Sequence, residues 1–276
     1  MKPPAMLRKI TMLLAAILVL ALPGCGTGPA NRSEPTMRQA GFVQREAVVD
    51  GRKYGYQVFV PGSDAAATHP PVILFLHGSG ERGNDNLKQV EAGLGPYVRS
   101  HAREFPAIVV FPQAPEDEEW AGPNARVAFA ALDAATREFH GDTHRTYLTG
   151  MSMGGYGTWE LALLQPQRFA ALVPVCGAVK PPDDERALYV TPVAGEADPY
   201  SAIASRLRDV PVWIFHGARD DAVSPADDRL LIAAFKVAGT KHARYTEFPD
   251  ANHNAWDPAY AQTPELWAWL FAQRRP

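Results

Sequence analysis

Apolar positions run along this chain in two rhythms. Val72–Leu76, Ala107–Phe111, Ala171–Val175 and Val210–Phe215 are short stretches with almost no polar residue, as in strands covered on both faces, where neither side meets water. Between and beyond them, apolar residues in Leu87–Ala102, in the alanine-rich Asn124–Phe139 and from Ser224-Pro225 to about Ala238 suit helices, the last with proline in its first turn. Phe42–Val49 and Lys53–Val60 flank Asp50-Gly51 and predict two antiparallel strands joined by a tight turn. Thr146–Thr149 leads into Trp159–Leu164 as strand into helix, Ala243–Phe248 reads as a last strand, and Pro264–Ala272 as a closing helix. Strands alternating with helices predict an α/β, doubly wound, mostly parallel sheet in three layers, α/β/α. Lys180–Asp209, with Pro181, Pro182, Asp183, Asp184 and Glu185, reads as a polar insertion.

The strand-to-helix junction carries chemistry. Arg145–Glu160 reads RTYLTGMSMGGYGTWE and holds a G-x-S-x-G pattern at Gly150, Ser152 and Gly154. A strand turning sharply into a helix at Ser152 strains that residue and leaves room only for small neighbours two positions away, so the hydroxyl stands at the C-terminal edge of the sheet. The amide of Met153, first in the helix, is placed for a developing oxyanion.

A serine hydroxyl needs a base within hydrogen-bond reach, and the base needs an acid to orient it. Such groups sit beyond the C-terminal ends of strands. His242 precedes the last strand, whereas His253 follows it in the polar loop Asp250–Trp256; His144, just before the elbow strand, reads as a surface residue. The base is therefore His253. The strand ending at Phe215 delivers His216-Gly217-Ala218-Arg219-Asp220-Asp221, so the acid is Asp220 or Asp221, with Asp183 and Asp184 as the alternative site; Asp220 could instead pair with Arg219 or Arg229. Ser79 or Gly80, after the His77-Gly78 strand end, supplies the second oxyanion amide. His77 reads as fixing that loop, and Glu81 with Arg82 as an ion pair within it. Trp120 and Trp256 either flank the substrate pocket or pack as half-buried residues.

The first residues change the picture of where the chain works. Lys2, Arg8 and Lys9 precede the apolar run Met12–Leu22, too short to span a bilayer, and then Leu22-Pro23-Gly24-Cys25. This reads as a signal peptide over residues 1–24, and the small residues before the cysteine resemble the lipobox of bacterial lipoproteins, although proline departs from its usual pattern. Cys25 would then be the acylated N-terminus, with ordinary secretion as the alternative; Gly26 after it, by the same resemblance, implies the outer membrane. Residues 25–40 read as a flexible tether and 41–276 as the catalytic domain. Taking three basic residues from 27 leaves 24 against 30 acidic, a net of −6, which argues against a nucleic-acid partner. With Cys25 lipidated, Cys176 has no disulfide partner.

The ordered motifs HGSGERG, GMSMGGYGTW, HGARDD and ANHNAWD resemble the α/β-hydrolase superfamily, and within it bacterial phospholipase/carboxylesterase, dienelactone-hydrolase and feruloyl-esterase-like lipoproteins. The resemblance covers residues 42–273. It implies an eight-stranded sheet, no metal or organic cofactor, Asp220 as the acid through an HGxxD loop, and a serine hydrolase of carboxylic esters. No propeller precedes the hydrolase segment, which sets the sequence apart from full-length prolyl oligopeptidases. A peptidase with the same triad, and an inactive lipid-anchored binding protein on the same scaffold, are the rival readings. Only Lys180–Asp209 could form a cap, and it is too polar for a lipase lid, so an open site suited to short-acyl or aromatic esters is expected.

Overall fold

The computed structural model describes residues 40–62, 67–183 and 186–276; the leader, Cys25, Asp184 and Glu185 lie outside them. Strands β1 (Gly41–Val49) and β2 (Arg52–Val60) pair antiparallel across Asp50 and Gly51, both at positive φ (50° and 77°), the combination that matches the twist of a two-residue hairpin. β3 (Val72–Leu76), β4 (Ile108–Pro112), β5 (Thr146–Met151), β6 (Ala171–Val175), β7 (Val212–Gly217) and β8 (Ala243–Phe248) complete an eight-stranded sheet in the order β1-β2-β4-β3-β5-β6-β7-β8. From β4 to β8 every pairing is parallel.

The unbroken apolar runs explain the layers. Within β3, Val72, Leu74 and Leu76 face one core while Ile73 and Phe75 face the other, because successive side chains leave a strand on opposite sides. The first core is closed by α2 (Gly122–Glu138), α3 (Met153–Leu164), α4 (Pro199–Arg206) and α5 (Ala226–Val237), the second by α1 (Leu94–Ser100), α6 (Trp256–Ala261) and α7 (Pro264–Ala272). Phe75 packs at 5.4 Å centroid separation on Phe111 and 6.2 Å on Tyr260; truncating so enclosed a ring costs about 3–5 kcal/mol.

Three expectations change. The helix expected over 87–102 shrinks to a 3₁₀ turn, Lys88–Val90, and the seven-residue α1. Gly93 between them sits at φ 63°, a left-handed conformation that ends one helix before the next begins. Strand β7 starts at Val212 rather than Val210, since Pro211 has no N–H for the ladder. The insertion is less polar than its sequence suggests: Leu188, Val190, Val193, Ile203 and Leu207 from it are buried in the first core.

Candidate active site

Ser152 stands alone between β5 and α3 at φ 53°, ψ −119°. A non-glycine residue held there stores about 1–3 kcal/mol of backbone strain. Its amide donates to the Val175 carbonyl at 2.9 Å and its carbonyl accepts from Gly155 at 2.7 Å and Tyr156 at 3.2 Å, so the turn is held from both directions. A Cβ on Gly154 would lie 1.9 Å from the Leu76 oxygen, and one on Gly150 would lie 2.2 Å from the Gly154 oxygen. Both flanking glycines are sterically required, as the motif's spacing suggested. The Met153 amide belongs to the first turn of α3, where backbone donors have no partner within the helix.

The three loops predicted from strand ends meet. His253 Nε2 lies 2.9 Å from Ser152 Oγ, and His253 Nδ1 lies 2.7 Å from Asp220 Oδ2. The other oxygen of Asp220 accepts from the Ala222 and Val223 amides at 3.0 and 2.9 Å. Four donors to the carboxylate hold its charged form well below the usual carboxylate range even though burial opposes this, the fourth being His216. Chain crossing is close here: a Cβ on Gly217 would stand 2.1 Å from the Asn252 oxygen, so only glycine lets the His253 loop lie against the end of β7. The surface-charge alternative fails, because Arg219 pairs with Asp250 and Arg229 with Glu247. Asp221 is exposed, Asp183 accepts from the Arg186 amide, and His144 lies on the surface bonded to the Pro276 carbonyl.

The loop after β3 is fixed from below. His77 is fully buried; its Nε2 accepts from the Ala114 amide at 3.0 Å and its Nδ1 donates to the Gly78 carbonyl at 2.6 Å. Burial pushes this imidazole down to about 4, so it serves the loop as a neutral ring. Trp120, one expected pocket wall, is instead 2% exposed, donates to the His77 carbonyl at 2.9 Å and stacks edge-on against His77. It is a packing residue, drawn inward because Gly157 on α3 leaves space beside its Cβ. Trp256 is half-buried at the start of α6 with its ring perpendicular to His253, 5.6 Å away. Ser79 and Gly80 open a 3₁₀ turn ending at Glu81. Arg82 does not pair with Glu81: it donates to the Ser79 carbonyl at 3.1 Å and faces Glu119. Arg186, from the insertion, bonds both Ser79 Oγ at 2.6 Å and Glu119 at 3.0 Å.

Two residues near Ser152, His253 and Asp220 were given no role by the sequence. Cys176, buried and at φ 42°, places its sulfur with His253 and Asp220 in a group of potential metal-ligand atoms within 4.8 Å of one another. Burial raises its thiol, so it stays protonated beside an imidazole and a carboxylate already bonded to each other. His216, completely buried, bridges Asp220 at 3.1 Å and Asp228 at 2.7 Å. The sequence shows only a histidine closing a buried strand, and Asp228 looks like a first-turn charge on α5.

The arrangement can activate a hydroxyl and pass its proton to an imidazole. The model of the prolyl oligopeptidase family matches residues 117–274. The protein "Putative esterase NocK" of Nocardia uniformis subsp. tsuyamanensis is 30% identical over a match covering 60% of this chain and 52% of that one, so this chain spans about half the length of that relative. Among solved structures, a thermostable esterase superposes with a TM-score of 0.67 at 28% identity, covering 85% of this chain and 63% of that one. A ferulic acid esterase, 20% identical with a TM-score of 0.59 over 85% and 99% of the two chains, shares the fold.

Proposed function

The chain belongs to the prolyl oligopeptidase family, and from that premise we propose that it is a serine-dependent hydrolase of carboxylic esters. The observation that carries the reading is the unbroken chain from Ser152 Oγ through His253 to Asp220, at 2.9 and 2.7 Å. In this reading Ser152 attacks the ester carbonyl as its proton passes to His253 Nε2. Asp220 keeps Nδ1 protonated and the ring oriented. The Met153 amide and that of Ser79 or Gly80 receive the oxyanion, His253 returns the proton to the departing alcohol, and water releases the acyl group by the same steps. Esterase relatives favour an ester over an amide.

A fluorophosphonate probe should label Ser152, and kcat/KM on p-nitrophenyl esters should fall from acetate or butyrate to palmitate. No labelling would end the hydrolase reading, and a maximum at about ten carbons or more would end the short-acyl preference. The second reading, amide hydrolysis by the same residues, is favoured by the peptidases for which the family is named. An anilide and a phenyl ester of one acyl group separate the two. We further propose export with acylation at Cys25. Radioactive palmitate should label the wild type and not Cys25→Ser, and an unlabelled wild type would refute it.

A further inference from the structure

His216 and Asp228 lie behind the triad, with 0% and 1% of their side chains exposed. A buried ionisable pair costs several kcal/mol of desolvation and is often matched by apolar residues of the same size, so its contacts matter. His216 Nε2 faces two acceptors, the Val223 carbonyl at 2.9 Å and Asp220 Oδ2 at 3.1 Å, and must carry hydrogen. Nδ1 faces only Asp228 Oδ2 at 2.7 Å, so a second proton lies in that contact. The oxygen that Nε2 reaches, Asp220 Oδ2, is the one that accepts from His253 Nδ1. One carboxylate oxygen is thus shared by two imidazoles whose bonded nitrogens lie within about 6 Å of each other.

We propose that the His216–Asp228 pair is a positioning device for the triad: it fixes the Asp220 carboxylate, draws negative charge from Oδ2, and so keeps His253 available as a base at lower pH. This rests on the hydrolase reading above. Burial alone would lower the His216 ring, but its hydrogen bonds to Asp220 and Asp228 carry it up to about 10. Burial raises Asp228 as well, so both directions keep a proton between the two. The charged groups packed around the pair have partners of their own. Glu247 on β8 is paired with Arg229 of α5, and Asp227 of α5 is held by the Tyr200 hydroxyl and the Val179 and Lys180 amides. Tyr245 of β8, Tyr156 of α3 and Cys176 after β6 are all pushed up by burial and stay neutral.

The pH profile of kcat/KM for p-nitrophenyl acetate, measured on Asp228→Asn and His216→Gln, tests this. A charge about 6 Å from a titrating ring moves it by about one to two pH units, and the balancing Asp228 charge trims this to about one. The acid limb should therefore move up by about one unit, with an about tenfold loss near pH 6 that shrinks to a few-fold above pH 8. A uniform loss at every pH with the limb unmoved would reduce the pair to scaffolding and overturn the proposal. Should neither variant fold, ¹⁵N NMR of the wild-type imidazoles decides: His216 with hydrogen at both nitrogens from pH 5 to 9 supports the proposal, and a bare nitrogen refutes it. A wild type whose Ser152 takes no fluorophosphonate sinks the hydrolase reading instead, and the NMR result still judges His216.

Discussion

Two histidines in this molecule hold an aspartate in the same way, Nδ1 to Oδ2 at 2.7 Å, and their surroundings give them opposite work. His253 keeps a quarter of its side chain exposed and turns Nε2 toward a hydroxyl that can give up a proton. His216 has no exposure and turns Nε2 toward oxygens that can only accept. The first ring can therefore exchange its proton during a reaction, whereas the second keeps its own. A His–Asp pair is no catalytic signature by itself; the group facing the distal nitrogen decides.

The largest effect should come from removing the mobile proton. His253→Ala and Ser152→Ala should each fold normally and lose about four to six orders of magnitude in kcat, since triad members act as one unit; circular dichroism with single-turnover kinetics checks both halves. Next in size, Asp220→Asn leaves both rings in place but lets His253 adopt the wrong tautomer, for a loss of about 10³–10⁴-fold. Exposed Asp221→Asn should stay within about twofold, and the reverse ranking would move the acid by one position. The smallest effect concerns the fixed proton. A folded-state value of about 10 for His216, above the ordinary 6.5, gives stabilisation that is complete below pH 6.5 and is lost as pH rises through about 10. Tyr147, which burial pushes up to about 12, adds its own loss only above pH 10. The urea midpoint should therefore fall between pH 7 and 9 in the wild type and fall less in His216→Gln.

The meeting of Ser152, His253 and Asp220 was legible because each follows a strand, and strands of unbroken apolar residues are the plainest signal in a chain. Element limits failed where one residue overrode a pattern: Pro211 delayed β7, and Gly93 cut the helix expected after β3. Trp120 stayed open between two readings for another reason. A tryptophan in a loop looks like a wall for substrate, and only the gap beside Gly157 shows that the ring turns inward. His216 and Asp228 stayed hidden because their contact needs a strand end and a helix face to be superposed, 12 residues apart with no periodic rule between them. Arg186 was hidden in the same way by the polar composition of its insertion, which conceals a buried apolar lining.

The position of β8 in the sheet has a consequence for how the molecule comes apart. Ser152 follows a strand hydrogen-bonded on both sides, to β3 and β6, while the loop bearing His253 follows an edge strand whose only ladder among the described residues is with β7. Edge elements with half-buried side chains open by local fluctuation at a fraction of the global unfolding free energy. Amide hydrogens of β8 should then exchange faster than those of β5, and rising denaturant should part His253 from Ser152 while the central strands remain folded.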